Sequence, residues 1–225
     1  MTKNYYSQSL YGKNLKRVYD IAPPRVKQYL EAEIHYVTKE IKGMDLVIEL
    51  GCGYGRVMNL LSPYVEELVG IDTAGKSLKF AREYLSALSN CFLFQMNASQ
   101  LGFKSKVFDA VVCVQNGISA FHVDSKTLVK EAIRITRPGG LLLFSSYSPK
   151  FWEHRLEWFR LQAQEGLLGE IDESRTRNGI IVCKDGLELS FVGEKQFLKL
   201  FTSDKTNVSA VEVDESSVFC RAEVL

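Results

Sequence analysis

The segment Val47-Ile48-Glu49-Leu50-Gly51-Cys52-Gly53-Tyr54-Gly55-Arg56 constrains this chain more than any other. An apolar run of strand type leads into it and a helical pattern leads out, with three glycines at alternate positions between. Glycine lets the backbone turn sharply and lets a ligand approach the main chain closely. A helix start beyond the turn offers free N–H groups and the positive end of a dipole. The same strand-then-helix order recurs downstream. Residues 46–50, 68–71, 91–96, 108–114 and 141–145 read as strands, with helices over 56–61, 76–88 and 126–135 and a turn at Pro138-Gly139-Gly140. The fourth strand is apolar throughout, as a strand covered on both faces should be. Repeated β-then-α order implies a parallel sheet with helices on both sides.

The flanks read differently. Pro23-Pro24 opens a helix whose apolar residues Val26, Tyr29, Leu30, Ile34, Val37 and Ile41 keep helical spacing until Gly43. Residues 151–168 read as a helix. Two short strands, 179–183 and 187–191, flank Lys184-Asp185-Gly186 as a hairpin. A helix over 194–201 and strands over 208–213 and 218–224 follow. The expected architecture is a Rossmann-like doubly wound α/β fold. Its mostly parallel seven-stranded sheet has an antiparallel last strand, with an N-terminal helical cap and a small hairpin insertion. One domain is expected: cap helices over 1–43, a ligand-binding core over 44–146, a substrate-side helix and hairpin over 147–192, and closing elements over 193–225.

Composition narrows the function classes. Lys plus Arg number 28 and Asp plus Glu 27 in 225 residues, which gives no electrostatic case for nucleic acid or an anionic membrane. No apolar run approaches a bilayer span, and the first residues lack the apolar core of a signal peptide. The five cysteines (Cys52, Cys91, Cys113, Cys183, Cys220) never form a C-x-x-C pair. That pattern predicts a cytoplasmic protein with neither a disulfide frame nor a metal site.

The glycine spacing is G-x-G-x-G, not the G-x-G-x-x-G of dinucleotide sites. Glu49, two residues before Gly51, would oppose a phosphate and welcome an amine. Asp72, closing the second strand, stands where an acid hydrogen-bonds ribose hydroxyls, and its two acceptor oxygens match a vicinal diol. A ligand with an amine, a ribose and no phosphate is S-adenosylmethionine.

Residues 46–146 resemble class I S-adenosylmethionine-dependent methyltransferases, especially the small-molecule branch that includes ubiquinone/menaquinone-biosynthesis C-methyltransferases. The resemblance rests on four motifs in order: Glu49-Leu50-Gly51-Cys52-Gly53-Tyr54-Gly55, Asp72, Phe108-Asp109-Ala110-Val111-Val112, and Arg134-Ile135-Thr136-Arg137-Pro138-Gly139-Gly140. It implies methyl transfer to an acceptor, with S-adenosylhomocysteine as product. It also implies that Gly51, Cys52, Gly53 and Gly55 cradle the cofactor, that Glu49 organises its methionine end, and that Asp72 and Thr73 hold the ribose. Asn97 and Ala98 stand where the family places an adenine contact, usually Asp. Gln115 and Asn116 stand beneath the cofactor, facing the substrate.

Other residues keep two readings. His122 is a candidate general base or a loop histidine. The N-terminal tyrosines Tyr5, Tyr6, Tyr11 and Tyr19 either form a lid or pack a covering helix, and Tyr11, Tyr19 and Arg17 are candidates for touching the cofactor carboxylate or the substrate. Phe151, Trp152, Trp158 and Phe159 either line an apolar pocket or pack the hairpin. The expected partner is a small-molecule methyl acceptor, with no nucleic acid and no membrane. The rivals are an RNA or protein methyltransferase and a SAM-binding protein without catalysis. Acceptor and oligomeric state are not legible.

Overall fold

The computed structural model describes residues 10–225; Tyr5 and Tyr6 lie outside them. Among the described residues two helices come first, α1 (Lys13–Asp20) and α2 (Pro24–Ile41). Pro24 opens α2, where its missing N–H costs nothing. Val26, Tyr29, Leu30, Glu33, Val37 and Ile41 form the buried stripe of α2, and Gly43, with φ +80°, turns the chain away.

The alternating units then run β1 (Leu46–Leu50), α3 (Arg56–Leu61), β2 (Glu67–Asp72), α4 (Gly75–Tyr84), β3 (Cys91–Gln95), β4 (Phe108–Cys113), α5 (Gly117–Ala120), α6 (Ser125–Ile135) and β5 (Thr136–Tyr147). Next come α7 (Trp152–Gln164), the short pair β6 (Ile181–Val182) and β7 (Glu188–Leu189), α8 (Glu194–Phe201), β8 (Thr206–Val213) and β9 (Ser217–Val224). Seven strands form one sheet in the order β3-β2-β1-β4-β5-β9-β8. β1 to β5 pair in parallel, and β9 runs antiparallel to both β5 and β8. The expected seven-stranded sheet with a reversed last strand is therefore present. Strand order reverses between β1 and β4, so the crevice at their C-terminal ends is where such a sheet takes ligands.

β4 sits centrally and is buried along its length. Val111 and Cys113 pack with α6 and α8 through Leu128, Val129, Phe197 and Phe201. Ala110 and Val112 pack with α2, α3 and α4 through Val37, Met58 and Leu78. A third apolar cluster joins α1, α2, α7 and the hairpin through Val18, Tyr29, Phe151, Trp158, Ile181 and Leu189. At its centre the buried Arg155 donates to the carbonyls of Gly179 (2.8 Å) and Leu189 (3.0 Å) and lies over Tyr147. Among the described residues no helix is long and apolar enough to cross a membrane.

Several boundaries differ from expectation: the helix expected over 151–168 is Trp152–Gln164, and three others have a visible cause. Pro138-Gly139-Gly140 lies inside β5, because the register steps from Phe108↔Thr136 to Ala110↔Leu141 and the extra residues bulge at Gly139, φ +78°. α4 stops at Tyr84, since Leu85 turns in to pack against Gly55. The hairpin strands are two residues each, and Arg155 rather than a long ladder holds them.

Asp109, 2% exposed, ties the start of β1 to β4 by accepting the N–H groups of Asp45 (2.8 Å) and Leu46 (2.9 Å). Its other oxygen pairs with Arg137 at 2.7 Å. Asp109→Ala leaves two main-chain donors without their acceptor and is expected to lower unfolding free energy by about 2–4 kcal/mol in urea titration. Arg137→Ala, which removes a half-exposed partner, should change it by under about 1 kcal/mol.

Candidate functional site

The turn after β1 is built on positive φ at Gly51 (+77°), Gly53 (+54°) and Gly55 (+89°). Gly51 and Gly53 face a cavity of about 200 Å³ in the β1–β4 crevice. Gly55 does not; Leu85 packs against it, so its freedom serves the α3–α4 contact. On the cavity side Phe121 covers Gly51, where a Cβ would overlap its ring, and Leu15 of α1 covers Gly53. Four N–H groups of the turn, those of Gly51, Cys52, Gly53 and Gly55, are already engaged. Gly51 and Cys52 both donate to the Ile71 carbonyl (2.8 and 2.9 Å), Gly55 to the Cys52 carbonyl (2.8 Å), and Gly53 to Asp72 Oδ2 (2.9 Å). A pyrophosphate site needs such groups unspent.

Asp72 thus points at the loop. Its Oδ1 accepts from the Ala74 N–H at 2.7 Å, and each oxygen keeps a further lone pair. Burial pushes its pKa up while the N–H donors oppose the shift. Beside it, Glu49 is 4% exposed and its Oε2 has no hydrogen-bond partner among the described residues. Burial pushes the Glu49 carboxyl up to about 8, against the pull of Arg56 and with help from Asp72. Arg56, on the first turn of α3, has Nε and Nη2 buried without partners among the described residues and lies over the Tyr19 ring at 4.6 Å. An acid wanting a donor and a guanidinium wanting an acceptor therefore stand together, complementary to a zwitterionic amino-acid group.

The tip of β4 completes the floor. Gln115 (φ +56°) and Asn116 (φ +60°) both hold left-handed conformations. Glu33, fully buried on α2, supports them by accepting the Gln115 N–H (3.1 Å) and the Ser217 hydroxyl (2.9 Å). Burial raises its carboxyl to about 7, although these donors act the other way. The Tyr19 hydroxyl donates to Gln115 Oε1 at 2.9 Å, and Trp158 Nε1 of α7 donates to the Val18 carbonyl at 3.0 Å. α1 is thereby fastened across the cavity, with Gly12 N–H to Ser77 Oγ (3.2 Å) holding its other end.

Glu49, Gly51, Cys52, Gly53, Asp72, Thr73, Asn97, Ala98 and Gln115 all line this cavity. The Asn97 amide oxygen is turned onto its own loop, where it accepts from Ser99 N–H and Oγ, both at 2.9 Å. Tyr11 is not on the wall; its hydroxyl accepts from Lys76 Nζ at 3.0 Å. Asn116 is also off it, donating to the Ser190 carbonyl (2.9 Å) and accepting from Ser146 Oγ (2.7 Å). His122 is not on the wall, whereas its neighbours Phe121 and Val123 are. Arg17 pairs with Glu165 at 2.8 Å on the surface. Of the aromatics after β5, Trp158 and Phe159 line the cavity, while Phe151 packs against Tyr29. Sequence reasoning missed Arg56, Leu15, Phe121 and Gln162. Only Gln162 carried a signal, one helical turn beyond Trp158 and Phe159.

Comparison with known proteins gives a consistent picture. Residues 47–140 match the family model described as a methyltransferase domain. A ubiquinone biosynthesis O-methyltransferase of Idiomarina loihiensis is 31% identical over 129 residues, covering 50% of each chain. The chain spans about half the length of the curated relatives it matches. A protein of Pyrococcus horikoshii OT3 shares the fold over 100% of both chains, with TM-score 0.67 and 22% identity. So does the N-methyltransferase NodS of Bradyrhizobium japonicum, solved with S-adenosyl-L-homocysteine, with TM-score 0.63, 15% identity and coverage of 96% and 99%.

Because its folded pKa lies above that of an unfolded carboxyl, Glu49 contributes stability at low pH that is lost as pH rises toward about 8. Glu49→Gln is expected to match the parent near pH 4.5 and to melt at progressively higher temperature than it from there to pH 8, then by a constant margin. Melting curves from pH 4.5 to 9 check this, and equal curves would mean the carboxyl is not destabilised by burial.

Proposed function

We propose that this chain, whose residues 47–140 match the model of a methyltransferase domain, is a class I S-adenosylmethionine-dependent enzyme that transfers a methyl group to a small-molecule acceptor. The observation that carries this is the pairing of spent loop N–H groups with an unpartnered Glu49 oxygen, which suits an amine-bearing nucleoside and not a diphosphate. In this reading Glu49 receives the ammonium of the cofactor and Arg56 its carboxylate. Asp72 takes the ribose diol on the lone pairs its backbone bonds leave, with Thr73 beside it. Ala98 and Asn97 flank the adenine. Gly51 and Gly53 permit close approach once Phe121 and Leu15 turn aside. When bound, the cofactor supplies a methyl group already made electrophilic by its sulfonium.

The chain's share is alignment and exclusion of water. α1, fastened by Tyr19 and Trp158, closes the cavity, while Gln115 and the residues of α7 face the acceptor. With the cofactor held by Glu49, Arg56 and Asp72, the acceptor's electron pair would take its methyl group, the sulfur keeping the pair of the broken bond, and the acceptor's proton would pass to solvent. No histidine base is used in this reading, because His122 lies off the wall. The ubiquinone-biosynthesis relative supports a small-molecule acceptor. Free Cys52, Cys91, Cys113, Cys183 and Cys220 accord with a reducing cytoplasm. The reading keeps one domain, with 1–43 as cap and 147–192 as substrate side.

Calorimetric titration separates this reading from its nucleotide rival. S-adenosylhomocysteine is expected to bind and NAD not to. Asp72→Ala should weaken S-adenosylhomocysteine by about 1–3 kcal/mol, roughly 5- to 150-fold, without unfolding the chain. Binding of NAD alone would end the methyl-transfer reading.

A further inference from the structure

Along the sheet the cavity runs from the ends of β2 and β3, where Asp72, Thr73 and Asn97 stand, across the β1–β4 switch to the end of β5, where Tyr147 leads into α7. Trp158 and Phe159 lie four and three residues before Gln162 on α7, which puts both beside it on one face, and all three line the cavity. Gln162 is 2% exposed, and its amide Nε2 has no hydrogen-bond partner among the described residues. Gln115 Nε2, from the tip of β4, is in the same position. A buried N–H is unfavourable until an acceptor reaches it. Around these two amides stand the rings of Tyr19, Tyr147, Trp158 and Phe159, with Tyr19 and Trp158 at 6.1 Å.

We propose that this wall is the acceptor subsite, that Gln162 is its specificity-determining donor, and that it takes a single planar ring, phenolic or heteroaromatic, bearing an uncharged oxygen that accepts from Gln162 Nε2. The proposal rests on the methyl-transfer reading and gives that reading a substrate class. A flat ring meets the four aromatic walls edge-on or offset. An alkyl chain fills the same space but leaves both amides unmatched. A carboxylate would also accept from Gln162, but with Arg56 taken by the cofactor its charge would be buried among these rings without a cation, which costs more than the hydrogen bond returns. A nucleic-acid strand calls for clustered basic side chains, and none of the residues named on this wall is basic.

The test uses the two tryptophans of the chain. Trp152→Phe leaves Trp158 as the single indole, so its emission reports occupancy of the wall. The protein, saturated with S-adenosylhomocysteine, is titrated with 4-hydroxyacetophenone and 4-quinolone as ring probes, and with ethylbenzene, octanoate and a single-stranded RNA oligomer as comparators. The expected result is saturable quenching by the ring probes at least tenfold tighter than by any comparator. Gln162→Leu and Gln162→Met, each in that background, should bring the ring probes down to the ethylbenzene level while S-adenosylhomocysteine affinity stays within twofold. Tighter binding of octanoate or RNA, ring affinity unchanged in both variants, or no ring binding by a chain that holds S-adenosylhomocysteine would each overturn the assignment alone. Failure of the parent chain to bind S-adenosylhomocysteine would defeat the methyl-transfer reading and this assignment with it.

Discussion

Glu49 carries its carboxyl group into the floor of the cavity with one oxygen matched to nothing among the described residues. Its strand lies between β2 and β4, so the side chain is stripped of water by neighbours on both sides. The turn that follows could have offered N–H groups to it. Those of Gly51, Cys52 and Gly53 go instead to the Ile71 carbonyl and to Asp72, so the main chain reaches the acid through Met58 of α3 and leaves Oε2 without a partner among the described residues. Arg56 lies close enough to lower its pKa but forms no ion pair with it. Such an arrangement sacrifices stability where a ligand is to be held, a trade common at binding sites.

How much of this was legible depends on whether the cause was local. Three glycines between an apolar run and a helical pattern announced the turn, because a tight reversal of main chain has few other solutions. Asp72 was legible because its place at the end of β2 follows from strand length. The Lys184-Asp185-Gly186 hairpin was legible from turn chemistry, and the reversed last strand from the family pattern. Pro138-Gly139-Gly140 reads as a turn, yet it became a bulge, since β5 extends back to Thr136 and pairs it with Phe108. The Asn97 oxygen was spent on Ser99 by a turn of local type that the sequence shows once it is sought. Arg56 and Gln162 were not legible as unpartnered donors. Satisfaction of a hydrogen bond is settled by residues distant in sequence, and a pattern of apolar spacing contains no record of it.

The cavity floor owes its shape to residues that never line it. Glu33 reaches from α2 to the main chain of Gln115 and to Ser217 on β9, joining the N-terminal helices to both the fourth and the last strands. It helps hold two consecutive residues, Gln115 and Asn116, in a conformation that side chains other than glycine seldom adopt. The strand tip is thereby aimed, and Tyr19 closes onto it. The cap, the sheet and the closing hairpin of β8 and β9 meet in this one acid.

Arg155 and Asn116 grip the 177–192 segment by its carbonyls, at Gly179, Leu189 and Ser190, and the Ser190 oxygen accepts from both. Carbonyl oxygens are common to every residue type. Side chains along that segment can therefore be exchanged while its path is preserved, provided the two anchors and the tight packing at Gly179 remain. A scaffold fastened in this way can drift in the surface it shows to incoming molecules without first having to reinvent how it is tied down.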